Sequence, residues 1–135
     1  MNKATLLSLF THLFSSNTKS KFSTPSQNEL SGNEFVIENL KQYGDSLIKP
    51  RKVNHWIYFK NELDRQNFIE LIKKDGFTIE EESFNNDLDE TPFILHISGT
   101  NKVDLHNANK FTALIESKAK KYNGDYDGWE TSIEK

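Results

Sequence analysis

Histidines 55 and 96 stand inside two strand-like stretches of the chain, residues 53–59 and 91–98. If those stretches pair as neighbouring strands, the two imidazoles sit across from one another, which supplies half of a metal site. The chain has no cysteine, and no third ligand stands at a useful spacing, so ordinary sheet histidines are the preferred reading and no metal or cofactor is expected. A second group, Asp125, Asp127 and Glu130, brings three carboxylates close together in sequence. Acid–base work needs paired carboxylates in a cleft with shifted pKa values. On a strand, period two puts Asp125 and Asp127 on one side and Glu130 on the other, and a turn with a strand cap is the simpler account. There is no Gly-rich phosphate loop, no Gly-x-Ser-x-Gly elbow and no helical His-Glu metal signature. No catalytic residue is assigned, and the protein is expected not to be an enzyme.

Two further features point to binding. Glu80, Glu81, Glu82, Asp87, Asp89 and Glu90 place six acids in eleven residues with no base among them. As a solvated loop between strands such a run needs no function, but its field also favours a cationic partner surface and speeds encounter at low salt. The aromatic residues Trp56 and Tyr58 alternate with Ile57 and Phe59, so two of the four are turned away from whatever the other two pack against.

The elements that hold these residues follow from local pattern. Phe35, Ile37 and Leu40 mark a short helix over 34–42 that Gly44 stops. Residues 53–59, β-branched and aromatic, form the strongest strand signal of the chain. Asn61 caps a helix running to about 75, with Phe68, Ile69, Leu71 and Ile72 on its apolar side and Gly76 after it. A second strand opens at 77–79 and leads into the acidic tract; a third, 91–98, is closed by Gly99. Asp104 caps a helix whose Ala108, Phe111, Ile115, Ala119 and Tyr122 recur at three or four residues, ended by Asn123-Gly124. Residues 126–133 form a last strand that Asp127 and Gly128 weaken.

Strand, helix, strand, strand, helix, strand, with right-handed crossovers, makes an α+β, ferredoxin-like sandwich: a four-stranded antiparallel sheet with both helices on one face, preceded by N-terminal helices. The first and third strands are central. We expect Val53, Ile57, Phe59, Phe93, Leu95 and Ile97 in the core, with His55 competing for a place there. An open face then carries Trp56, Tyr58 and His96, with Trp129 or Tyr126 nearby. Aromatics on an open sheet invite comparison with single-stranded RNA binding, but strand 91–98 has no Lys/Arg-Gly-aromatic pattern and no basic stripe accompanies it.

Residues 1–33 read as a separate region ahead of a domain over 34–135. Leu6, Leu7, Leu9, Phe10, Leu13 and Phe14 outline a short amphipathic helix, followed by a Ser-, Thr-, Asn- and Lys-rich linker with Pro25. The apolar run is too short for a membrane, which needs about 20 residues, so no transmembrane segment is expected. His12 within it and the lack of an Ala-x-Ala site argue against a secretory signal. A chain of 135 residues with net charge −3 and pI near 5.8 is one modest domain and an unsuitable dedicated nucleic-acid binder.

Three stretches carry a resemblance. Gly44-Asp45-Ser46-Leu47-Ile48-Lys49-Pro50-Arg51, continuing into His55-Trp56-Ile57-Tyr58-Phe59, resembles the opening of proteins related to the regulator of ribonuclease E activity B (RraB). Asp75-Gly76-Phe77 matches that family's helix-to-strand junction. Gly124-Asp125-Tyr126-Asp127-Gly128-Trp129-Glu130-Thr131 is similar to its closing Tyr-Asp-Gly-Trp motif, the most specific of the three. The resemblance implies a cytoplasmic, non-enzymatic module that inhibits an endoribonuclease by protein–protein contact, with the acidic tract suited to an Arg-rich scaffold segment of a degradosome. By residue type, Trp56, Tyr58, Tyr126 and Trp129 are the candidate partner anchors, and Glu81, Glu82, Asp87 and Asp89 the steering acids. The alternatives are an immunity-like inhibitor of another basic protein and single-stranded RNA binding on the open sheet.

Overall fold

Asn61 and Asp104 each turn the chain into a helix in the way their side chains allow. The Asn61 Oδ1 accepts from the Asp64 N–H at 2.8 Å, and Asp104 Oδ1 accepts from the Asn107 N–H at 2.9 Å. A cap of this kind contributes about 1 kcal/mol. The computed structural model describes residues 32–135. The amphipathic helix and most of the linker expected before them lie outside the described residues.

The described elements are α1 (Gly32–Gln42), β1 (Arg51–Phe59), α2 (Glu62–Lys73), β2 (Thr78–Phe84), β3 (Phe93–Asn101), α3 (Leu105–Lys120) and β4 (Asp125–Thr131). The strands form one antiparallel sheet in the order β2-β3-β1-β4, so β1 and β3 are central as expected. Three differences from the sequence reading stand out. The first helix begins at Gly32, two residues early. Strand β3 runs through Gly99 to Asn101 because Gly99 pairs with Val53 instead of ending the ladder. Glu80, Glu81 and Glu82 belong to β2, so half of the acidic tract is strand; only Asp87, Asp89 and Glu90 lie in the turn over residues 85–92, which closes through the Asn85 N–H on the Pro92 carbonyl at 2.9 Å.

Alternation along β1 decides which side is core. Val53, His55, Ile57 and Phe59 are fully buried, and Leu95 and Ile97 join them from β3; Phe93, at the sheet end, is half-buried. All three described helices cover this face. Phe68, Ile69 and Ile72 of α2 and Ile115 and Ala119 of α3 pack on Ile57, Phe59, Leu95 and Ile97. Val36, Ile37 and Leu40 of α1 reach the other end, with Val53, Phe111 and Trp129. Each such side chain contributes roughly 1.5–3 kcal/mol by leaving water.

Both edge strands carry a β-bulge. The β2–β3 register shifts between Ile79 and Glu81, leaving Glu80 as the extra residue. The β1–β4 register shifts between Trp56 and Ile57, leaving Asp127 as the extra residue ahead of Gly128, whose φ of 147° a side chain would strain. A bulge resets which side the following residues face. That single shift overturns the period-two expectation for the C-terminal acids.

Candidate functional site

On the second face of the sheet no helix of the described residues packs. Trp56 and Tyr58 project there from β1 and His96 from β3, half-buried, as the alternation required. Trp56 pairs with His96 across the strands and the two rings stack, centroids 4.5 Å apart and 9° from parallel. The His96 Nε2 meets Asn54 Oδ1 at 2.8 Å. Burial lowers the His96 pKa below the ordinary 6.5, Lys52 adds to that, and Glu80, Glu130 and Glu81 pull against it; the net direction is down, and the ring is neutral at pH 7.

The bulges surround these rings with acid. Glu80 accepts from Ser98 Oγ at 2.6 Å and pairs with Lys52 at 3.2 Å, which holds its carboxyl below the usual range. Glu81 pairs in register with His96 on the same side. On the far edge, Asp125 stands opposite Tyr58, Asp127 accepts the Tyr58 hydroxyl at 3.1 Å, and Glu130 stands opposite Asn54. Burial and the nearby Asp127 and Asp125 push the Tyr58 phenol far above its ordinary pKa, so it acts as a hydrogen-bond donor and never as a phenolate. Sequence reasoning put Glu130 on the opposite side from Asp125 and Asp127. Gly128 within the strand was the available signal of a bulge.

The other expected site residues are distributed differently. Trp129 is 3% exposed in the core, its indole N–H donating to Asn33 Oδ1 at 2.9 Å and its ring edge-to-face with Phe111. Tyr126 lies opposite Ile57 on the helix-covered face, its hydroxyl 2.8 Å from His55 Nδ1. Neither is on the open face where the sequence reading placed them: Tyr126, ahead of the bulge, and Trp129, after it, pair with Ile57 and His55 on the helix-covered side. Glu82, opposite Leu95, faces the helix side at the edge, 3.6 Å from the Arg65 Nε. Asp87 and Asp89 are exposed in the turn. The two histidines are not across from each other. His55 pairs with Ile97 and is fully buried on the helix side, whereas His96 is on the open side. Among the described residues, no three His, Cys, Asp or Glu gather to hold a metal.

On the helix side a concavity of about 540 Å³ opens between the start of β2 and α3, lined by Phe77, Gly99, Asn101, Asn107, Lys110 and Phe111. His55 lies edge-on to both Phe77 and Phe111. No nucleophile–base pair stands there. Among the described residues, no helix is long and apolar enough to cross a membrane.

The family model described as Regulator of ribonuclease activity B matches residues 31–131, from the start of α1 to the end of β4. No curated protein matches the chain.

Proposed function

From the premise that the chain belongs to the regulator of ribonuclease activity B family, we propose that it regulates an RNA-processing endoribonuclease by binding the enzyme or its scaffold, lowering cleavage without chemistry of its own. The observation that carries this reading is the family match, which takes in every described element of the domain. The scaffold is of ferredoxin-like type, β–α–β–β–α–β with the helices on one face, and the face that no described helix covers is the docking surface. Trp56 and Tyr58 are the aromatic anchors there, while Glu81, Asp87 and Asp89 steer the approach.

The charge of that face supports a protein partner over RNA. Base-stacking sheets surround their aromatics with Lys and Arg, because each phosphate must be neutralised. Here five carboxylates, Glu80, Glu81, Asp125, Asp127 and Glu130, frame the rings, against one base, Lys52. An endoribonuclease partner puts the protein in the cytoplasm.

The test is a cleavage assay with the purified full chain and the endoribonuclease of the same cell. Added protein is expected to slow cleavage of a structured RNA and to co-elute with the enzyme. A Trp56→Ala and Glu81→Gln double variant should do both less well. Unchanged cleavage and no co-elution at micromolar protein would overturn the reading.

A further inference from the structure

The concavity on the helix side changes its chemistry from rim to floor. It lies beyond the end of α2, between Phe77, just ahead of β2, and Phe111 of α3, beside Gly99 of β3. Lys110 lines it from an exposed position and makes no ion pair or hydrogen bond among the described residues. The one carboxylate of the lining, Asp75, is committed to Lys118 Nζ at 2.8 Å, and α3 has no acid in its first turn. The walls are apolar, chiefly Phe77, Phe111 and Leu114. Phe77 packs closely on Gly99, where a Cβ would come within 3.1 Å of its ring, so any larger residue there would push the wall aside. The volume, about 540 Å³, is within the range of small-molecule sites, roughly 300–1,000 Å³.

Behind the walls is a polar group that the fold leaves unused. His55 is fully buried and packs edge-on against both Phe77 and Phe111, with ring centroids 5.8 and 5.2 Å away. Burial keeps its imidazole neutral at pH 7 and keeps the Tyr126 phenol protonated. The Tyr126 hydroxyl is 2.8 Å from Nδ1, and Nε2 has no partner. With the ring hydrogen on Nδ1, two groups would lack a partner, the phenol hydrogen and the Nε2 lone pair; with it on Nε2, only that N–H does. The hydroxyl therefore donates to Nδ1, and the Nε2–H is a buried donor without an acceptor, a costly arrangement to leave unmet. The two ring nitrogens point apart. With Nδ1 turned to Tyr126 of β4, Nε2 is directed to the β3 and Phe77 side, where the cavity opens.

From rim to floor the order is thus cation, apolar walls, lone N–H. We propose that the cavity binds a small aromatic monocarboxylate with a carbonyl oxygen at the far end of its ring, the carboxylate on Lys110, the ring against Phe77 and Phe111, and the oxygen toward His55 Nε2. An aromatic body suits these walls, because it packs edge-to-face on phenylalanine. One unpaired cation in the lining matches one negative charge, which favours a carboxylate over the phosphate of a nucleotide. The site is on the opposite side of the sheet from the docking face and does not depend on the regulator reading.

Amide NMR spectra of the full chain, titrated with defined probes, test this. Benzoate and para-acetylbenzoate are the acids, para-acetylbenzamide is the neutral counterpart, and inorganic phosphate is an anion without a ring. Both acids are expected to shift the Phe77, Gly99 and Lys110 signals and to leave those of Tyr58 and Glu130, on the other face, in place. The acetyl compound should bind roughly threefold to tenfold more tightly than benzoate, the size of one hydrogen bond. The benzamide and phosphate should shift none of these signals. Lys110→Met, an exposed change, should weaken both acids about threefold to fivefold. His55→Phe with Tyr126→Phe should bring the two acids to equal affinity, and the same spectra show whether that variant is folded. If it is not, the two acids compared on wild type decide the role of His55. No cavity shifts at millimolar acid, equal affinity of the two acids on wild type, binding of the benzamide as tight as that of its acid, or an unaffected Lys110→Met variant would each overturn the proposal. No ribonuclease enters this assay, so either result leaves the regulator reading to its cleavage assay.

Discussion

The Arg51 guanidinium closes on the Asp45 carboxylate as a fork, Nη1 on Oδ2 and Nη2 on Oδ1, the latter at 3.0 Å, and the two side chains are 3% and 0% exposed. The remaining valences are filled by backbone. Asp45 accepts from the Leu47 and Glu134 N–H groups, and Arg51 donates to the Lys49 and Ser132 carbonyls. One ion pair thus ties the turn after α1, the start of β1 and the C-terminal residues after β4. Removing one partner strands a buried charge, so Arg51→Met is expected to cost about 3–5 kcal/mol, and Asp45→Asn with Arg51→Met together less than Arg51→Met alone. Chemical denaturation of the three variants checks the order.

The same pair gives the fold an acid limit. Burial pushes the Asp45 carboxyl up, but Arg51 and the two N–H groups outweigh it, and the net pKa is below the ordinary 3.8. A carboxylate with a depressed folded pKa contributes stability that is fully present above its unfolded pKa and is lost as pH falls through the folded one. Wild type should therefore lose stability below about pH 4 with a component that Asp45→Asn lacks. Urea midpoints across that range measure it.

His55 acts in a higher pH window by the same proton logic. Its ring is fully buried, contacts Phe77 and Phe111 edge-on, and meets Tyr126 through Nδ1, while its Nε2 has no hydrogen-bond partner. Burial, with the His96 charge beyond the sheet, lowers its pKa from 6.5 to about 3. The unfolded chain takes up this proton below pH 6.5 and the folded chain does not. Stability is complete above 6.5 and declines down to about 3, by up to about 1.4 kcal/mol per pH unit for one proton. His55→Phe with Tyr126→Phe removes the titrating group without stranding the tyrosine hydroxyl. That variant should lose less stability than wild type between neutral pH and pH 5, at the lower edge of the range in which histidines titrate.

What the sequence could and could not reveal divides along one physical line. Caps are local: Asn61 and Asp104 bond an N–H three residues away, so their identity and spacing were sufficient. The central strands were also legible, because Val53, Ile57, Phe59, Leu95 and Ile97 alternate and the burial follows. Edge strands were not. Whether Glu80 and Asp127 are bulged depends on pairing with residues 15 or more positions away, and each bulge moves every later side chain to the other face. Hence Trp129, with a residue type suited to an interface, is core, and Glu130, dismissed as the odd acid of its group, belongs to the uncovered face.

That division has a measurable consequence for the two tryptophans. Trp129 fills the space between Phe111 and α1 and satisfies Asn33, so Trp129→Ala should cost about 3–5 kcal/mol. Trp56 is half-buried and stacked on His96, and its removal to Ala should cost about 1 kcal/mol, near the value of an aromatic pair. Thermal unfolding of the two variants separates them; a Trp56→Ala loss as large as that of Trp129→Ala would place Trp56 in a core and close the uncovered face as a docking surface.

The last element is held by a contact at Gly124. A Cβ there would stand 2.6 Å from Phe59 Cε1, 3.0 Å from its Cζ and 3.2 Å from the Ala119 Cβ. Phe59 is fully buried and packed on Phe68 at 5.4 Å, so its ring has no free space to enter, and Ala119 is fixed on α3. The Gly124 N–H meanwhile donates to the Ala119 carbonyl at 2.8 Å, holding the turn between α3 and β4 against the helix end. Gly124→Ala therefore either pushes the ring off its rotamer or lifts the turn, and overpacking of one methyl group is expected to cost about 1–3 kcal/mol. Phe59→Leu removes the offending ring atoms at its own cavity cost. In the double variant the Gly124→Ala penalty should shrink to a fraction of its value in wild type, a coupling that a thermodynamic cycle over the four proteins reads directly. An additive result would mean that the turn yields instead of the ring, and β4, with Asp127 and Glu130, would then shift relative to β1.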